Sequence, residues 1–446
     1  MQPWWQRAVF YQVYVRSFAD SNGDGVGDLR GLIQKLDYLE WLGVDCLWLN
    51  PIYPSPNADW GYDVADYCDV HPELGTLAEL DSLIEEANAR GIEIVLDLVP
   101  GHTSDRHPWF SDPAKRDWYI WADEPGEGTS VFGGSAWTER DGAWYYHKFL
   151  PKQPNLNWFN DEVRGVFDDI LKFWFERGVA GFRIDVAHDF VRDTRDASRR
   201  DVAHDVLRGW RRIADTYDPP RVLIGETWVA DLAELMTFYG EGDELHMAFN
   251  FPFLFSALEA LPDVVDRTEA ALPRDAWPVW TLSNHDVVRF ATRMCAGDAR
   301  KIKCALLALL TLRGTTVLYQ GDEIGLEQVD VPPEQVRDVS DRDGARTPMP
   351  WNGAWTNPWL PVGGGTSVEA QRDDPASILS FTRALITRRR SSADLLEGAY
   401  ERLPAPPDVW AYRRGESTVV ALNLSDQQAR FHGRELAPWE GAISDV

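Results

Sequence analysis

The sequence predicts an α/β chain built on a (β/α)8 TIM barrel, with a small domain inserted after the third strand and a short C-terminal antiparallel β domain. Three observations carry the prediction. Short apolar runs rich in Val, Ile and Leu alternate with segments of helical period, the rhythm of a parallel sheet. Polar residues gather where the apolar runs end, as they do at the mouth of such a barrel. The length, 446 residues, holds a barrel of roughly 250 residues with room for additions.

The elements follow in order. Residues 8–18 form a strand-like run rich in Val, Tyr and Phe, and residues 29–42 carry apolar side chains at helical spacing up to Gly43, a natural stop. A second strand spans 44–50, a helix 77–89, and a third strand 92–99. From 101 to about 158 the rhythm breaks into a Trp-, Tyr-, Gly- and Pro-rich stretch too long for a plain loop, read as the inserted domain. A helix at 161–177 and a strand at 179–186 resume the pattern, and further strands at 222–226, 246–251, 279–283 and 316–319 bring the count to eight. Residues 377–390 give the last barrel helix, and alternating strands at 409–413 and 418–424 mark the β domain. The expected division is therefore a barrel of residues 1–101 and 159–392, an insert of 102–158 and a β domain of 393–446.

Composition narrows the function. A formal net charge of −27 argues against nucleic acid and anionic membranes as partners, since both demand a basic patch. The 21 Trp and 14 Tyr supply flat amphipathic rings of the kind that stack on sugar faces. No charged segment leads into an apolar run at the N-terminus, and no stretch reaches transmembrane length. Cys46, Cys68, Cys295 and Cys304 have neither metal-site nor disulfide-framework spacing, so reduced thiols in a cytoplasmic protein are expected. No feature specifies an oligomeric state.

Residues 20–28 place oxygen-bearing side chains at alternate positions, with a glycine after the third, like the opening of a calcium-binding loop. Asp20, Asn22, Asp24, Asp28 and the carbonyl of Val26 would hold one structural Ca²⁺ or Mg²⁺. An Asp/Gly-rich turn without an ion is the other reading. The bidentate Glu that closes an EF-hand is absent. No organic cofactor is indicated.

The chemistry concentrates at strand ends. In the stretch 179–186, Val-Ala-Gly-Phe-Arg-Ile-Asp-Val, Arg183 and Asp185 leave the same face of a buried strand. They make either a structural ion pair or a carboxylate nucleophile kept ionised by its guanidinium neighbour. Asp97 and His102 follow the third strand, Glu226 ends the fifth, and His285 and Asp286 follow the seventh. Such carboxylates are what glycoside hydrolysis needs, one at the oxocarbenium-like centre and one to protonate the departing oxygen. There is no P-loop, no nucleotide-binding glycine fingerprint and no Gly-x-Ser-x-Gly elbow.

These motifs resemble glycoside hydrolase family 13, the α-amylase family, and within it the oligo-1,6-glucosidase and α-glucosidase branch. The resemblance rests on Asp97-Leu-Val-Pro-Gly-His102, Gly181-Phe-Arg-Ile-Asp185, Gly225-Glu226-Thr-Trp and Ser283-Asn-His-Asp286. Gln153-Pro-Asn-Leu-Asn-Trp158, Tyr319-Gln-Gly-Asp-Glu323 and Ala345-Arg-Thr-Pro-Met-Pro-Trp351 extend it over nearly the whole chain.

The resemblance implies a retaining mechanism with Asp185 as nucleophile, Glu226 as general acid and then base, and Asp286 stabilising the transition state. It implies that Tyr62 stacks under the sugar of the first subsite, that His102 and His285 donate to its hydroxyls, and that Arg183 orients Asp185. Asp59 and Arg346 match the Asp and Arg that close the pocket behind a non-reducing-end sugar, which implies exo-action on short α-glucosides. The chain departs from the family in carrying Gly101 where Asn precedes the first-motif histidine, so the amylase calcium site beside it is not expected here. It also has Asn155 where Asp is usual, and Val186 after the nucleophile is similar to α-1,6-active members. The alternatives within the family are a transglycosylase or isomerase of the trehalose synthase, sucrose isomerase or amylosucrase type. A catalytically inactive partner protein is a further reading, opposed by the intact Asp185, Glu226 and Asp286.

Overall fold

The computed structural model describes residues 3–191, 201–352 and 355–445. Eight parallel strands form the barrel: β1 Val9–Val13, β2 Cys46–Leu49, β3 Glu93–Leu98, β4 Gly181–Ile184, β5 Val222–Gly225, β6 Met247–Ala248, β7 Val279–Thr281 and β8 Thr315–Tyr319. They pair in the order β7-β8-β1-β2-β3-β4-β5-β6, and a parallel bridge between Phe249 and Val279 joins the two edges into a ring.

Period-2 alternation sorts the strand residues into two cores. One set (Phe10, Cys46, Trp48, Val95, Val222, Ile224, Met247, Val317) packs in a single cluster. The other (Val9, Tyr11, Leu47, Leu49, Ile94, Leu96, Phe182, Ile184, Leu223, Leu318) joins the helices in a larger cluster. β4 and β5 approach so closely that a side-chain carbon on Gly181 would run into the carbonyl oxygen of Val222. Glycine is required there by steric contact rather than by backbone angle.

Helices Leu77–Asn88, Asp161–Glu176, Asp201–Ala214, Ala299–Thr311 and Ile378–Arg390 cover the barrel. Local chemistry sets their starts: the side chains of Thr76, Asn160, Asp298 and Ser377 each accept a first-turn backbone N–H.

The sequence expectations need adjustment in three places. The run 8–18 is a strand only over Val9–Val13, followed by a 3₁₀ turn at Val15–Ser17. The helix expected over 29–42 is two, Leu29–Gln34 and Leu36–Leu42, because Lys35 takes φ −103° and ψ 2°. The sixth strand shrinks to Met247–Ala248, since Asn250 caps a short helix, Phe251–Phe255, with Pro252 in its first turn.

Between β3 and helix Asp161–Glu176 the chain folds an antiparallel sheet in the order Trp121–Ala122, Ala143–Tyr146, Trp137–Arg140. A bridge between His102 and Asn155 ties the beginning of this segment to its end. After helix Ile378–Arg390 comes a four-stranded antiparallel sheet of Tyr400–Arg402, Val409–Arg414, Thr418–Asn423 and Gly441–Asp445, with a two-stranded ribbon beside it. Among the described residues no helix is long and apolar enough to cross a membrane.

Candidate active site

Strand register assembles the centre. Asp97 lies opposite Arg183 across β3 and β4, and Arg183 lies opposite Ile224 across β4 and β5. Along β4 and β5, Asp185 and Glu226 stand two residues beyond Arg183 and Ile224, so alternation keeps each on its partner's face. The Arg183 guanidinium therefore reaches three carboxylates. Its Nη1 donates to Asp97 Oδ1 at 2.7 Å and to Asp185 Oδ1 at 2.8 Å, and its Nη2 lies 3.0 Å from Glu226 Oε2. The guanidinium rests over the Trp48 ring, 5.3 Å from its centroid. Arg183 and Asp185 form an ion pair, and the same guanidinium reaches two more carboxylates.

Asp286, after β7, sits in a second cluster. It accepts from Arg346 Nη2 at 2.9 Å and Arg342 Nη1 at 3.2 Å, with His285 Nε2 at 3.1 Å. Gln12 donates to His285 Nδ1 at 2.8 Å, which assigns the ring proton to Nε2. That proton also faces the Tyr62 hydroxyl at 2.6 Å, and Tyr62 in turn donates to Asp97 Oδ2 at 3.0 Å. The Tyr62 and His285 rings stack at 5.3 Å with planes 3° apart. A hydrogen-bonded relay thus joins the two clusters.

One expectation is overturned. Asp59 does not meet Arg346; it binds Arg342 Nη2 at 2.6 Å, while Arg346 goes to Asp286 and donates from Nε to the His285 carbonyl at 2.9 Å. The cause is a 3₁₀ turn at Asp343–Ala345 that places Arg342 and Arg346 at its two ends. Asp338 anchors Arg342 further, at 2.6 Å and 3.0 Å. On the other side Gln153 donates to Asp59 Oδ2 at 2.9 Å and lies 3.0 Å from His102 Nε2. His102 Nε2 donates to the Tyr62 carbonyl at 3.0 Å, and its Nδ1 is buried with no protein partner. Sequence reasoning missed Arg342, Asp338, Gln12 and Gln153 as site residues. Arg342 stands between two aspartates and reads as a solvated turn, so no signal there points inward.

Aromatic side chains flank these clusters. Phe149 lies 5.4 Å from the His102 ring and 5.6 Å from Phe132, and Arg342 packs over Phe132 at 5.2 Å. Trp228, two residues beyond Glu226, stacks on Phe251 at 4.7 Å and is 45% exposed.

Burial and charge divide the carboxylates. Burial pushes Asp97 up to about 6 against the opposing pull of Arg183, and burial likewise raises Asp185 well above the usual carboxylate range. For Asp286 burial also acts upward, but His285, Arg342 and Arg346 outweigh it and hold the group below its usual range. Burial lowers His102 to about 4 and holds His285 well below the usual imidazole range, so both imidazoles are neutral at pH 7.

In the loop between β1 and helix Leu29–Gln34, the side chains of Asp20, Asn22 and Asp24 accept backbone N–H groups of the loop itself. Asp28 caps the helix by accepting from Gly31 and also accepts from Ser21. Among the described residues no three His, Cys, Asp or Glu side chains gather as a metal-ready group. The loop still offers only oxygen donors, with the Val26 carbonyl, and that chemistry fits a hard cation. All four cysteines are free thiols.

The chain is similar to known proteins over nearly its whole length. The family model for the α-amylase catalytic domain matches residues 12–398. A probable α-glucosidase of Rhizobium meliloti (strain 1021) is 35% identical, with 98% of this chain and 93% of that protein covered. An oligo-1,6-glucosidase of Heyndrickxia coagulans is 34% identical over 97% of this chain and 94% of its own length. Among solved structures, an α-glucosyl transfer enzyme superposes with a TM-score of 0.92 at 34% identity, covering 99% of both chains.

Proposed function

Because the chain belongs to the α-amylase family and is a glycoside hydrolase, we propose that it is a retaining, exo-acting α-glucosidase on short α-glucosides. It would remove the non-reducing-end glucosyl unit of maltose-, isomaltose- or sucrose-type sugars. The observation that carries this reading is the single guanidinium of Arg183 shared by Asp97, Asp185 and Glu226, with an ionised Asp286 held opposite by Arg342 and Arg346.

In the first step Glu226 gives its proton to the glycosidic oxygen. The electron pair of the breaking C1–O bond leaves with that oxygen, and an Asp185 oxygen bonds to C1. Asp286 opposes the positive charge developing on the ring, an electrostatic role suited to a carboxylate held ionised. In the second step a water oxygen attacks C1, its proton passes to Glu226, and the Asp185–C1 bond breaks. Neutral His102 and His285 and the Tyr62 ring define the sugar's seat. Asp59 and Arg342 form the wall behind it, which favours exo-action.

Transglycosylation is a second reading, favoured by the similarity to an α-glucosyl transfer enzyme. It uses the same residues and replaces the attacking water with a sugar hydroxyl. Supporting features are also present for two lesser proposals. The oxygen-rich loop 20–28 would hold a structural Ca²⁺ or Mg²⁺, and the unpaired thiols suit a cytoplasmic setting.

The test is Asp185→Asn and Glu226→Gln on a panel of α-linked disaccharides, with products followed by NMR. Both variants should fold and lose turnover, and the wild type should release α-glucose first. β-Glucose as the initial product, or a Glu226→Gln enzyme with normal turnover, refutes the assignment. Acceptor-linked products on maltose, isomaltose or sucrose favour transfer, and rapid loss of iodine staining on starch contradicts exo-action.

A further inference from the structure

Val186, the residue after Asp185, has a backbone φ of 47°. A β-branched side chain in this left-handed region is a true outlier, because its Cβ crowds the following carbonyl oxygen. Strain of this kind persists only where surrounding structure over-determines it, and it concentrates at functional sites. Here the surrounding bonds can be named. Asp185 N–H still donates to the Leu98 carbonyl at 2.8 Å, and Glu226 N–H to the Ile184 carbonyl at 2.9 Å, as in regular pairing. The next amide leaves the ladder: Val186 N–H donates to the side chain of Glu226, at Oε2, over 2.7 Å. Val186 is buried, and its carbonyl accepts from Asp189 N–H at 2.8 Å, closing the turn. His188 Nδ1 lies 3.3 Å from both the Glu226 carbonyl and the Trp228 N–H, which sets that turn against the backbone at and beyond Glu226.

The same oxygen, Oε2, is the one that Arg183 Nη2 approaches at 3.0 Å. Two donors on one carboxyl oxygen leave no room for a proton there. We propose that Val186 is a positioning residue for the acid/base group: its amide and Arg183 fix Glu226 Oε2 as a permanent acceptor, so Oε1 alone carries the exchanged proton. This inference rests on Glu226 being the general acid and base. Protonated at Oε1, Glu226 delivers that proton to the leaving oxygen as C1–O breaks and Asp185 bonds to C1. The carboxylate left behind recovers a proton at Oε1 from the attacking water. Throughout, Oε2 keeps both donors, and the side chain keeps its aim.

The decisive variant replaces Val186 with its α-hydroxy acid by cell-free suppression, which turns the amide into an ester and keeps the side chain. With a natural disaccharide, whose leaving group needs protonation, kcat/KM should fall about tenfold, the loss of one charge-assisted hydrogen bond. With α-glucosyl fluoride, whose leaving group needs little acid help, it should stay within about twofold. Equal losses on both substrates, or none on either, overturn the proposal. Should the ester not fold, the native chain decides: in ¹⁵N-valine-labelled protein the Val186 amide proton should resonate downfield and move upfield in Glu226→Gln. An amide signal indifferent to that change overturns the proposal. The two readings fail separately, because a Glu226→Gln enzyme with normal turnover sinks the acid/base assignment, whereas an inactive one beside an unaffected ester sinks only the role of Val186.

Discussion

Arg342→Ala is the perturbation that most directly tests the pocket wall. The Arg342 side chain is 14% exposed and that of Asp59 6%, joined at 2.6 Å. This is not a solvated surface pair, for which a coupling under about 1 kcal/mol is usual. Removing the guanidinium leaves Asp59 with Gln153 as its remaining side-chain partner. Breaking one side of a buried pair costs roughly 3–5 kcal/mol when the survivor stays charged. Asp59 has an escape, because burial already pushes its carboxyl up, with Arg342 and Arg346 opposing that push. Without Arg342 that upward push is opposed less, and the expected cost is the loss of charge-assisted bonds, about 3 kcal/mol or some 150-fold in kcat/KM. Asp286 keeps Arg346, so the change should appear mainly in KM. A double-mutant cycle of Arg342→Ala with Asp59→Asn, read by kcat/KM on a disaccharide, should return a coupling of about 2 kcal/mol. Additivity of the two variants within about 0.5 kcal/mol would show that the pair does not act as a unit and would refute the reasoning.

Three further outcomes are expected. Chelation should lower the melting temperature if loop 20–28 binds a cation, and it should leave the rate of the still-folded enzyme nearly unchanged, since the loop supplies no acid or base. Calorimetry with and without added Ca²⁺ checks this. Burial raises Asp322 from 3.8 to about 7 against the pull of Arg289, so the folded state keeps a proton that the unfolded chain releases. Stability from this group is full below about pH 4 and declines as pH rises through 7, by at most about 4 kcal/mol; Asp322→Asn should therefore stabilise the protein in thermal melts at pH 8 and not at pH 4. Asp97→Asn should shift a limb of the pH–rate profile, because Asp97 shares Arg183 with Asp185 and Glu226, whereas a second-cluster change such as Asp338→Asn should leave the limbs in place.

Much of this was legible in the sequence because strands and their ends have strong local signals. Arg183 and Asp185 lie two apart in a run otherwise fit for a buried strand, and that spacing alone puts them on one face. Asp97 and Glu226 end similar runs, so barrel closure brings them together without further information. Arg342 was not legible for the opposite reason. Its position depends on a 3₁₀ turn in the long segment after β8, and neither period nor composition specifies which of two arginines one turn apart faces Asp59. The sixth strand is shorter than its apolar run, which Phe249 and Phe251 extend past Met247–Ala248, because the Asn250 cap that ends it acts through one side-chain hydrogen bond. The left-handed backbone at Val186 leaves no trace in residue type at all, since valine is among the residues least suited to it.

The two clusters differ in charge balance, and that difference supports the separate roles proposed for them. Around Arg183 three carboxylates face one guanidinium, and burial drives Asp97 and Asp185 toward the protonated form. Around Asp286 two guanidinium groups and a ring N–H converge on one carboxylate and hold it ionised. Environments that push neighbouring carboxyl groups apart in this way separate acid from permanent anion. In the mechanism proposed above, the group that exchanges the proton, Glu226, belongs to the cluster on β3, β4 and β5. Asp286, after β7, is held ionised, which suits the role proposed for it of opposing the developing charge of the sugar. Tyr62 and neutral His285 lie between the two clusters, and both can pass hydrogen bonds without adding charge to either.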